Sequence, residues 1–338
     1  MAGTTPSPVS MADVAHLAGV SMQTVSRVAN DSPAVREDTR EKVRRAMDEL
    51  GYRPNSAARS LKRGEFRSVG LVMFDIDSAG ARGTLKGITS AAASFGLTVT
   101  LVAMDPSRPD TLAEASRRMV ARPVDGMIFN LSKMVSDFET FRPQRGLTTV
   151  IRTALSQGHC STVENDQYGC GVMATEHLLS KGHGNVRFVA GPRDSVAGNL
   201  RQDGWRDTLT SHGIEPLPPV RGDWTADSGY EAGIKIAADR DCTAVFAAND
   251  SMACGVMMAL RDSGLRVPED VSIVGVDDAL VGLVPRVSLT TVRFRDEEVG
   301  MRAVQMALGK DPANAGGEIA DVRVSADLVI RDTVADRR

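Results

Sequence analysis

The chain has 338 residues, of which 42% are hydrophobic, and a net charge of −3. This length and composition suit two or three domains with packed cores. The charge is uneven, because residues 1–67 carry 11 Lys and Arg against 8 Asp and Glu, while the remainder has a net charge of −6. A small basic head on an acidic body is typical of a nucleic-acid binder with a separate regulatory body.

Targeting segments and metal sites are not indicated. The N-terminus has no basic stretch followed by an apolar one, and no apolar run reaches the ~18 residues of a membrane span. The cysteines form no C-x-x-C pair and have no histidine at ligand spacing; they are Cys160, Cys170, Cys242 and Cys254. We therefore expect a cytoplasmic protein with buried free thiols, no membrane contact and no bound metal.

Two short helices with a glycine turn are predicted near the N-terminus. The first covers Met11–Ala18, and Gly19 supplies the turn because positive φ costs it little. The second covers Met22–Ala29, with Ser21 as its N-cap. This arrangement is typical of a helix-turn-helix, although a plain surface hairpin of helices has the same pattern.

The second helix has two different faces. Val25 and Val28 are three residues apart and are expected to face inward, while Met22, Gln23 and Arg27 share the opposite face. In a DNA major groove, Gln pairs with adenine, Arg pairs with guanine, and Met contacts a thymine methyl. The pattern therefore favours an interpretation of this face as a reader of bases.

A third helix and a basic linker follow. The apolar spacing predicts a helix over about residues 37–50, with Arg36 at a position where a Ser cap would be expected. The missing cap is expected to cost on the order of 1 kcal/mol. The next stretch, residues 55–64, has almost no apolar surface, which indicates a linker that becomes helical on a partner.

From Ser68 the pattern changes to strand-then-helix units. Two series of short apolar runs alternate with helical stretches, which predicts two lobes with doubly wound parallel sheets and a ligand cleft between them. The predicted strands are Val69–Phe74, Leu97–Ala103, Gly126–Asn130, Thr148–Ile151, Val186–Ala190, Thr243–Ala247 and Val271–Val276.

Several stretches carry a resemblance to a known family. The head, from MADVAHLAGVSMQTVSRVAN to PNSAARSL, is similar to the DNA-binding head of the lactose/galactose repressor family of bacterial transcription regulators. The body stretches VAGPRDSVAGNLRQDGW, RGDWTADSGYEAG, AANDSMACGVMMALRDSGLRVPEDVSIVGVDD and SLTTV resemble the effector-binding core of that family. The resemblance covers about residues 9–331.

The resemblance implies an α/β fold with three parts. These are a helix-turn-helix head at 9–54, a hinge helix or linker at 55–67, and a two-lobe periplasmic-binding-protein-like core at 68–331. The implied first lobe is about 68–163 plus 293–323, and the second is about 164–292 plus 324–331.

The resemblance also implies roles on DNA. Met22, Gln23 and Arg27 would read bases. The residues that would hold phosphates or fix the reading helix are Ser21, Thr24, Ser26, Asn30 and Tyr52. The residues implied for the hinge in the minor groove are Asn55, Ala58 and Leu61. Leu61 is the one large apolar residue of its segment, which suits a wedge between base pairs; a contact with the lobe below is the alternative.

The implied effector site suits a polyol. A guanidinium, an amide, a carboxylate and an aromatic ring are expected at Arg201, Asn249, Asp277 and Trp224. Further contacts are expected from Asn130, Arg152, Phe74, Phe246 and Phe294. A core role remains the alternative for Trp224, Phe74 and Phe246. Arg152 indicates either an acidic or phosphorylated sugar, or a pair with a neighbouring carboxylate.

Together these features predict a repressor, not an enzyme. We expect a homodimer that is released from a pseudo-palindromic operator on the nucleoid by a small sugar, without a cofactor. A purine or a partner protein as effector, and a solute-binding protein or sugar-processing enzyme on the same scaffold, are the alternatives. The missing signal peptide and the intact head argue against the last two. The small-residue helix Met252–Ala259 is a candidate for part of the subunit contact.

One further motif invites a different interpretation. Residues 169–174 fit G-x-G-x-x-A, a dinucleotide-binding fingerprint. The predicted helix begins before these glycines, so the strand, glycine turn and helix do not follow one another as a phosphate site requires. We expect the glycines to permit close packing instead.

Overall fold

The computed structural model describes residues 9–53, 64–74, 76, 78–104, 111–281, 284 and 288–337. The chain divides into two compact units, Met1–Phe66 and Arg67–Arg338, which are called the head and the body below.

The head contains the three predicted helices. They are α1 (Met11–Ala18), α2 (Met22–Ala29) and α3 (Glu37–Leu50). Gly19 ends α1 in the left-handed region at φ 65°, where a Cβ would be strained. Ser21 caps α2, since its Oγ accepts from Thr24 N at 3.2 Å. Arg36 precedes α3 without a side-chain cap, as the sequence predicted.

A core of seven small or medium side chains holds these helices together. Its members are Val14, Ala15, Val25, Val28, Val43, Ala46 and Met47. Full burial of a valine contributes roughly 1.5–3 kcal/mol. So small a core is marginal, and each member therefore matters to the stability of the head.

The body alternates strands and helices. Its strands are β1 (Ser68–Met73), β2 (Thr98–Ala103), β3 (Gly126–Asn130), β4 (Thr149–Arg152), β5 (Ser161–Asn165), β6 (Val186–Ala190), β7 (Val220–Arg221), β8 (Ala244–Ala247), β9 (Ser272–Val276), β10 (Thr290–Arg293), β11 (Asp321–Val324) and β12 (Asp327–Val329). Its helices are α4 (Ala79–Ser94), α5 (Leu112–Val120), α6 (Gln167–Ser180), α7 (Val196–Ser211), α8 (Ala226–Ala237), α9 (Asp250–Asp262) and α10 (Asp296–Ala307), followed by a 3₁₀ segment, Pro312–Gly317.

Two six-stranded sheets give two lobes. The first lobe has the strand order β11-β5-β4-β3-β1-β2, and every neighbouring pair is parallel. The second has the order β12-β10-β9-β8-β6-β7, in which only the β10–β12 pair is antiparallel. The chain passes between the lobes after β5, after β10 and between β11 and β12. The predicted α/β fold with two parallel sheets is confirmed.

The first sheet is buried on both faces. Along β1, Val69 and Leu71 belong to one hydrophobic core, while Val72 belongs to the core on the other face. Successive side chains of a strand alternate between faces, so an all-apolar strand requires cover on both sides. In the second lobe, the ring of Phe188 lies 5.3 Å from that of Trp205 at the centre of the core.

Glycines bring the helices of the second lobe together. A Cβ on Gly171 of α6 would overlap the carbonyl of Arg201, and one on Gly204 of α7 would overlap the carbonyl of Tyr168. Asp166 caps α6, so both glycines of the G-x-G-x-x-A motif lie inside its first turns. The packing interpretation of Gly171 is confirmed.

The helix considered for a subunit contact, Met252–Ala259, has its small-residue face occupied. Gly255 of α9 packs against the backbone of α8, and Met252 and Val256 are fully buried within the same lobe. This face therefore forms part of the lobe's own core, whereas Met258 on the other side of the helix is 45% exposed. The subunit contact through this helix stays a prediction.

Three of the four thiols are buried as expected. Burial raises the pKa of Cys160, Cys170 and Cys242 to about 12. Cys254 is half-buried. Among the described helices, none combines the length and the apolar composition that crossing a membrane requires.

Candidate DNA-reading face and ligand cleft

Helix α2 separates its structural face from an exposed polar face. Val25 and Val28 are buried in the head core, whereas Met22 is 57% exposed. Gln23 and Arg27 are exposed beside Met22. The three side chains predicted to read bases therefore share a surface that takes no part in the head core.

Of the side chains predicted to hold phosphates or to fix the reading helix, Ser21 and Asn30 make hydrogen bonds that fix the ends of α2. Ser21 Oγ lies 3.0 Å from Thr24 Oγ1 as well as accepting from the amide of Thr24. Asn30 Nδ2 donates to the carbonyl of Ser26 at 2.6 Å and so closes the C-terminal end of α2. Tyr52 packs against the head core. The predicted hinge residues Asn55, Ala58 and Leu61 lie outside the described residues.

The body has a cleft between its lobes, at the carboxyl ends of the parallel strands. Seven residues of the predicted effector site line it: Asn130, Arg152, Arg201, Trp224, Asn249, Asp277 and Phe294. The N-termini of α4 and α7 reach it through Ser78 and Ser195. Lys133 of the first lobe forms a backbone β-bridge with Ser195 of the second, which joins the lobes beside the cleft.

Arg201 of α7 is held by three polar partners. Its Nε donates to Gln167 Oε1 at 2.8 Å, its Nη1 donates to the carbonyl of Ala248, and its Nη2 lies 3.7 Å from Asp277 Oδ1. Only 7% of the Arg201 side chain is exposed. The guanidinium is therefore fixed in orientation before any ligand binds.

Two aromatic rings flank this guanidinium. The Cζ of Arg201 lies 5.0 Å from the ring centre of Phe294 and 5.8 Å from that of Trp224. These distances are within the range of cation–π attraction. The rings and the guanidinium thus form one surface that offers both an apolar face and charged hydrogen-bond donors.

Trp224 is positioned by its backbone and by a glycine. It has a positive φ of 77°, and its carbonyl accepts from Asn249 Nδ2 at 3.0 Å. The Oδ1 of Asn249 accepts from Met252 N at 2.9 Å and caps α9. A Cβ on Gly191 would overlap the indole ring, so this position requires glycine. Asn249 consequently acts on the site by holding Trp224.

Two neighbouring carboxyl groups have raised pKa values. Burial raises the pKa of Asp250 to about 7, and the charge of Asp277 adds to this. Asp250 accepts from Thr291 Oγ1 at 2.6 Å and from Ala279 N at 2.7 Å. Burial also raises the pKa of Asp277 to about 6, against the opposing effect of Arg201. Both pKa values therefore lie above the ordinary value of an aspartate.

Arg152, at the end of β4, is paired with a carboxylate. Its Nη2 lies 2.9 Å from Glu164 Oε1 and 3.8 Å from Asp296 Oδ1. Its Nη1 donates to Asn130 Oδ1 at 3.2 Å. Of the two interpretations of this arginine, the pair with a neighbouring carboxylate is the one found.

Two predicted wall residues lie elsewhere. Phe74 follows Val72 on the same face of the first sheet and is buried in the core beneath that face. Phe246 is fully buried in the second lobe, with its ring 5.0 Å from that of Phe188. Of the two alternatives for these residues, a cleft wall or a core role, the core role is the one found.

Sequence reasoning missed six polar residues of the cleft, three of which are Ser78, Ser132 and Thr153. Glu164, Gln167 and Ser195 line it, and the first two hold the two arginines. Gln167 and Ser195 stand at the N-termini of helices that follow strands. Helix starts at the carboxyl end of a parallel sheet are the positions from which ligand contacts arise, and this pattern was available in the sequence.

Comparison with known proteins assigns the chain to a family. Residues 10–55 match bacterial regulatory proteins of the lacI family, and residues 175–334 match a periplasmic binding protein-like domain. The chain is 32% identical to the lactose operon repressor of Escherichia coli (strain K12) over 324 residues, which cover 93% of this chain and 89% of that protein. The chain belongs to the lacI family. It is therefore a ligand-responsive, DNA-binding transcriptional regulator.

Other members agree with this assignment. Catabolite control protein A of Priestia megaterium is 32% identical over 303 residues, covering 88% of this chain and 91% of that protein. The crystal structure of the lac repressor dimer bound to operator and the anti-inducer ONPF has a TM-score of 0.82 and 30% identity, covering 97% of this chain and 100% of that one. These lacI-family relatives are regulators, so the prediction of a regulator instead of an enzyme is confirmed.

Proposed function

We propose that the protein is a dimeric cytoplasmic repressor that leaves a pseudo-palindromic operator on the nucleoid when a small sugar binds in the cleft. The observation that carries this proposal is the Arg201–Asp277 pair beside Trp224. A buried donor, a buried acceptor and an aromatic face are the three groups that bind a sugar: two for hydroxyls and one for the apolar side of its ring.

Operator recognition is assigned to the exposed face of α2. Met22, Gln23 and Arg27 project from a helix whose opposite face is fixed in the head core. Arginine and glutamine form bidentate pairs with guanine and adenine, and each such pair discriminates by about 1–3 kcal/mol. In this proposal residues 55–67 act as the hinge, with Leu61 as its minor-groove wedge.

Release follows from linkage between the two sites. A ligand shifts an equilibrium only by as much as its affinities for the two states differ. A sugar that contacts Arg152 of the first lobe and Arg201 of the second is sensitive to the distance between the lobes. We propose that this difference in affinity drives the change that frees the operator.

The test begins with the full-length protein and a random pool of duplex DNA. Repeated selection should yield an inverted repeat, and fluorescence anisotropy should then measure its affinity at several salt concentrations. Affinity should fall steeply with salt, because phosphate contacts release counterions. A panel of free monosaccharides and disaccharides should contain at least one that weakens binding to this DNA.

Matched variants separate the recognition of bases from the electrostatic attraction to DNA of any sequence. Arg27→Ala should relax specificity at one position of each half-site and cost about 1–3 kcal/mol. Arg44→Ala, on the exposed surface of α3, removes the same charge and should change affinity equally for all sequences. Selection without an enriched repeat would overturn the operator proposal. Release by a purine, with no response to any sugar, would overturn the sugar proposal.

A further inference from the structure

The charged residues of the cleft balance one another. In the described part of the chain they are two arginines and two acids, which form one pair in each lobe. Arg201 lies near Asp277 in the second lobe, and Arg152 contacts Glu164 in the first. An anionic ligand gains most from cations whose charge is not already offset. The formal charge of the lining is therefore matched to a neutral ligand.

The pair in the first lobe is buried and firmly held. The side chains of Arg152 and Glu164 are 10% and 5% exposed, and their charged atoms are 2.9 Å apart. Glu164 Oε1 also accepts from Asn165 N at 2.8 Å. Asp296 adds a second carboxylate at 3.8 Å from Arg152. Water screens so buried a pair only weakly, so the two carboxylates offset the positive charge of Arg152 effectively.

The hydrogen bonds of the same arginine are also directed to the protein. Its Nη2 lies 2.9 Å from Glu164 Oε1, and its Nη1 donates to Asn130 Oδ1 at 3.2 Å. Its Nε is fully buried, without a partner in the part of the chain that the structure describes. Arg152 therefore lines the cleft as a paired and oriented group and not as a free cation.

We propose that Glu164 determines specificity by cancelling the charge of Arg152, so that the cleft accepts an uncharged sugar and rejects the same sugar carrying a phosphate. This inference rests on the proposed sugar-binding function. A phosphate brings a charge of −1.5 to −2 at neutral pH. In this cleft it would meet the carboxylates of Glu164, Asp277 and Asp296, while the two arginines that line the described part of the cleft each lie beside one or two of these carboxylates.

The experiment compares free sugars with their phosphates on the full-length protein. The probes are glucose, galactose and trehalose, each beside its 6-phosphate, with binding measured by thermal shift and calorimetric titration. We expect a free sugar to stabilise the wild-type protein and its phosphate to bind at least about tenfold more weakly. Glu164→Gln should narrow or reverse this preference by about tenfold, because the charge of Arg152 is then less offset.

Two variants keep the test independent of folding defects. Glu297→Gln removes a carboxylate that pairs at the surface with Lys86, and it should leave the preference unchanged. Arg152→Gln/Glu164→Gln removes both members of the buried pair, so it should keep the preference for the free sugar even if Glu164→Gln alone folds poorly.

The outcomes separate the two proposals. If the phosphorylated sugar binds the wild-type protein more tightly, or if Glu164→Gln and Glu297→Gln have equal effects, the role of Glu164 is refuted while sugar binding stands. If neither free nor phosphorylated sugars stabilise the protein, the proposed function itself fails.

Discussion

In the head, Met22, Gln23 and Arg27 lie on an exposed face of α2. In the cleft, by contrast, the side chains of Arg201 and Asp277 are mostly buried and lie beside each other. The reading face of α2 lies opposite Val25 and Val28, so its side chains contribute little to the fold. The cleft has no such division, since Arg201 both lines the cleft and compensates the charge of Asp277. We therefore expect a substitution on the exposed face of α2 to change function with little effect on stability, and a substitution of Arg201 to change both.

The sharpest test of this difference is Arg201→Ala. It should lower the free energy of unfolding of the body by about 3–5 kcal/mol, because Asp277 would stay buried without its cation. The sugar response should be lost while operator binding remains. Denaturant unfolding and anisotropy measure the two effects. Arg206→Ala, a half-exposed residue of the same helix, should cost at most about 1 kcal/mol; an equal loss in both variants would contradict the role of Arg201.

The buried carboxyl of Asp250 should make the body sensitive to pH. Its pKa in the fold is about 7, above its ordinary value of 3.8, so the folded state binds more protons than the unfolded state between these values. The contribution of Asp250 to stability should therefore be fully present below about pH 4 and fall by about 2–4 kcal/mol as the pH rises to 7. Urea unfolding at several pH values measures this loss.

A single variant isolates the contribution of Asp250. Asp250→Asn should reduce the slope and should flatten it between pH 6 and 7, because the raised pKa of Asp277, about 6, adds to the slope only at lower pH. The variant also weakens the bonds to Thr291 and Ala279. Asp227→Asn, on the exposed surface of α8, should leave the slope as it is in the wild-type protein. A slope in Asp250→Asn equal to that of the wild-type protein would assign the effect to another group.

An effect of intermediate size is expected from a substitution that displaces the ring of Trp224. Gly191→Ala places a methyl group in the volume of the indole ring and should cost about 1–3 kcal/mol. Sugar affinity should fall with it, because the ring is displaced from Arg201. Gly184→Ala is the matched control, since a Cβ there meets nothing within 4 Å. Tryptophan fluorescence and calorimetric titration would report the change, and unaltered affinity would remove Trp224 from the site.

The smallest effects are expected on the two faces of α2. Val25→Ala should destabilise the head by about 1–2 kcal/mol, because it opens a small core. Met22→Ala should change stability by less than about 0.5 kcal/mol and alter only the preference for particular operator bases. Hydrogen exchange of the α2 amides in the full chain measures stability. Equal destabilisation by both variants would contradict the separation of faces.

The sequence predicted those elements whose formation depends on residues close together in the chain. The head helices follow from apolar spacing and from caps at Ser21 and Gly19, all within a few residues. The polar strand β5 was missed because its sequence, STVEN, has no apolar run. It is buried because β4 and β11 pair with its edges and α10 packs against it, and β11 comes about 150 residues later in the chain.

The site shows the same limit. Resemblance to a family led to Arg201, Trp224, Asn249 and Asp277, which the structure brings together in the cleft. It also led to Phe74, whose side chain is buried in a core of the first lobe instead. Glu164 could not be predicted, because its importance comes from a contact with Arg152 that no local pattern records.

The chain passes between the lobes three times, and this limits which parts of the protein recombination can exchange between relatives. Neither lobe is one continuous segment, since β11 belongs to the first sheet and β12 to the second. One recombination point near residue 66 transfers the head whole, but no single crossover transfers a lobe. A single crossover near residue 66 can therefore combine a head with a different complete body, whereas the two lobes of one body cannot be exchanged separately in this way.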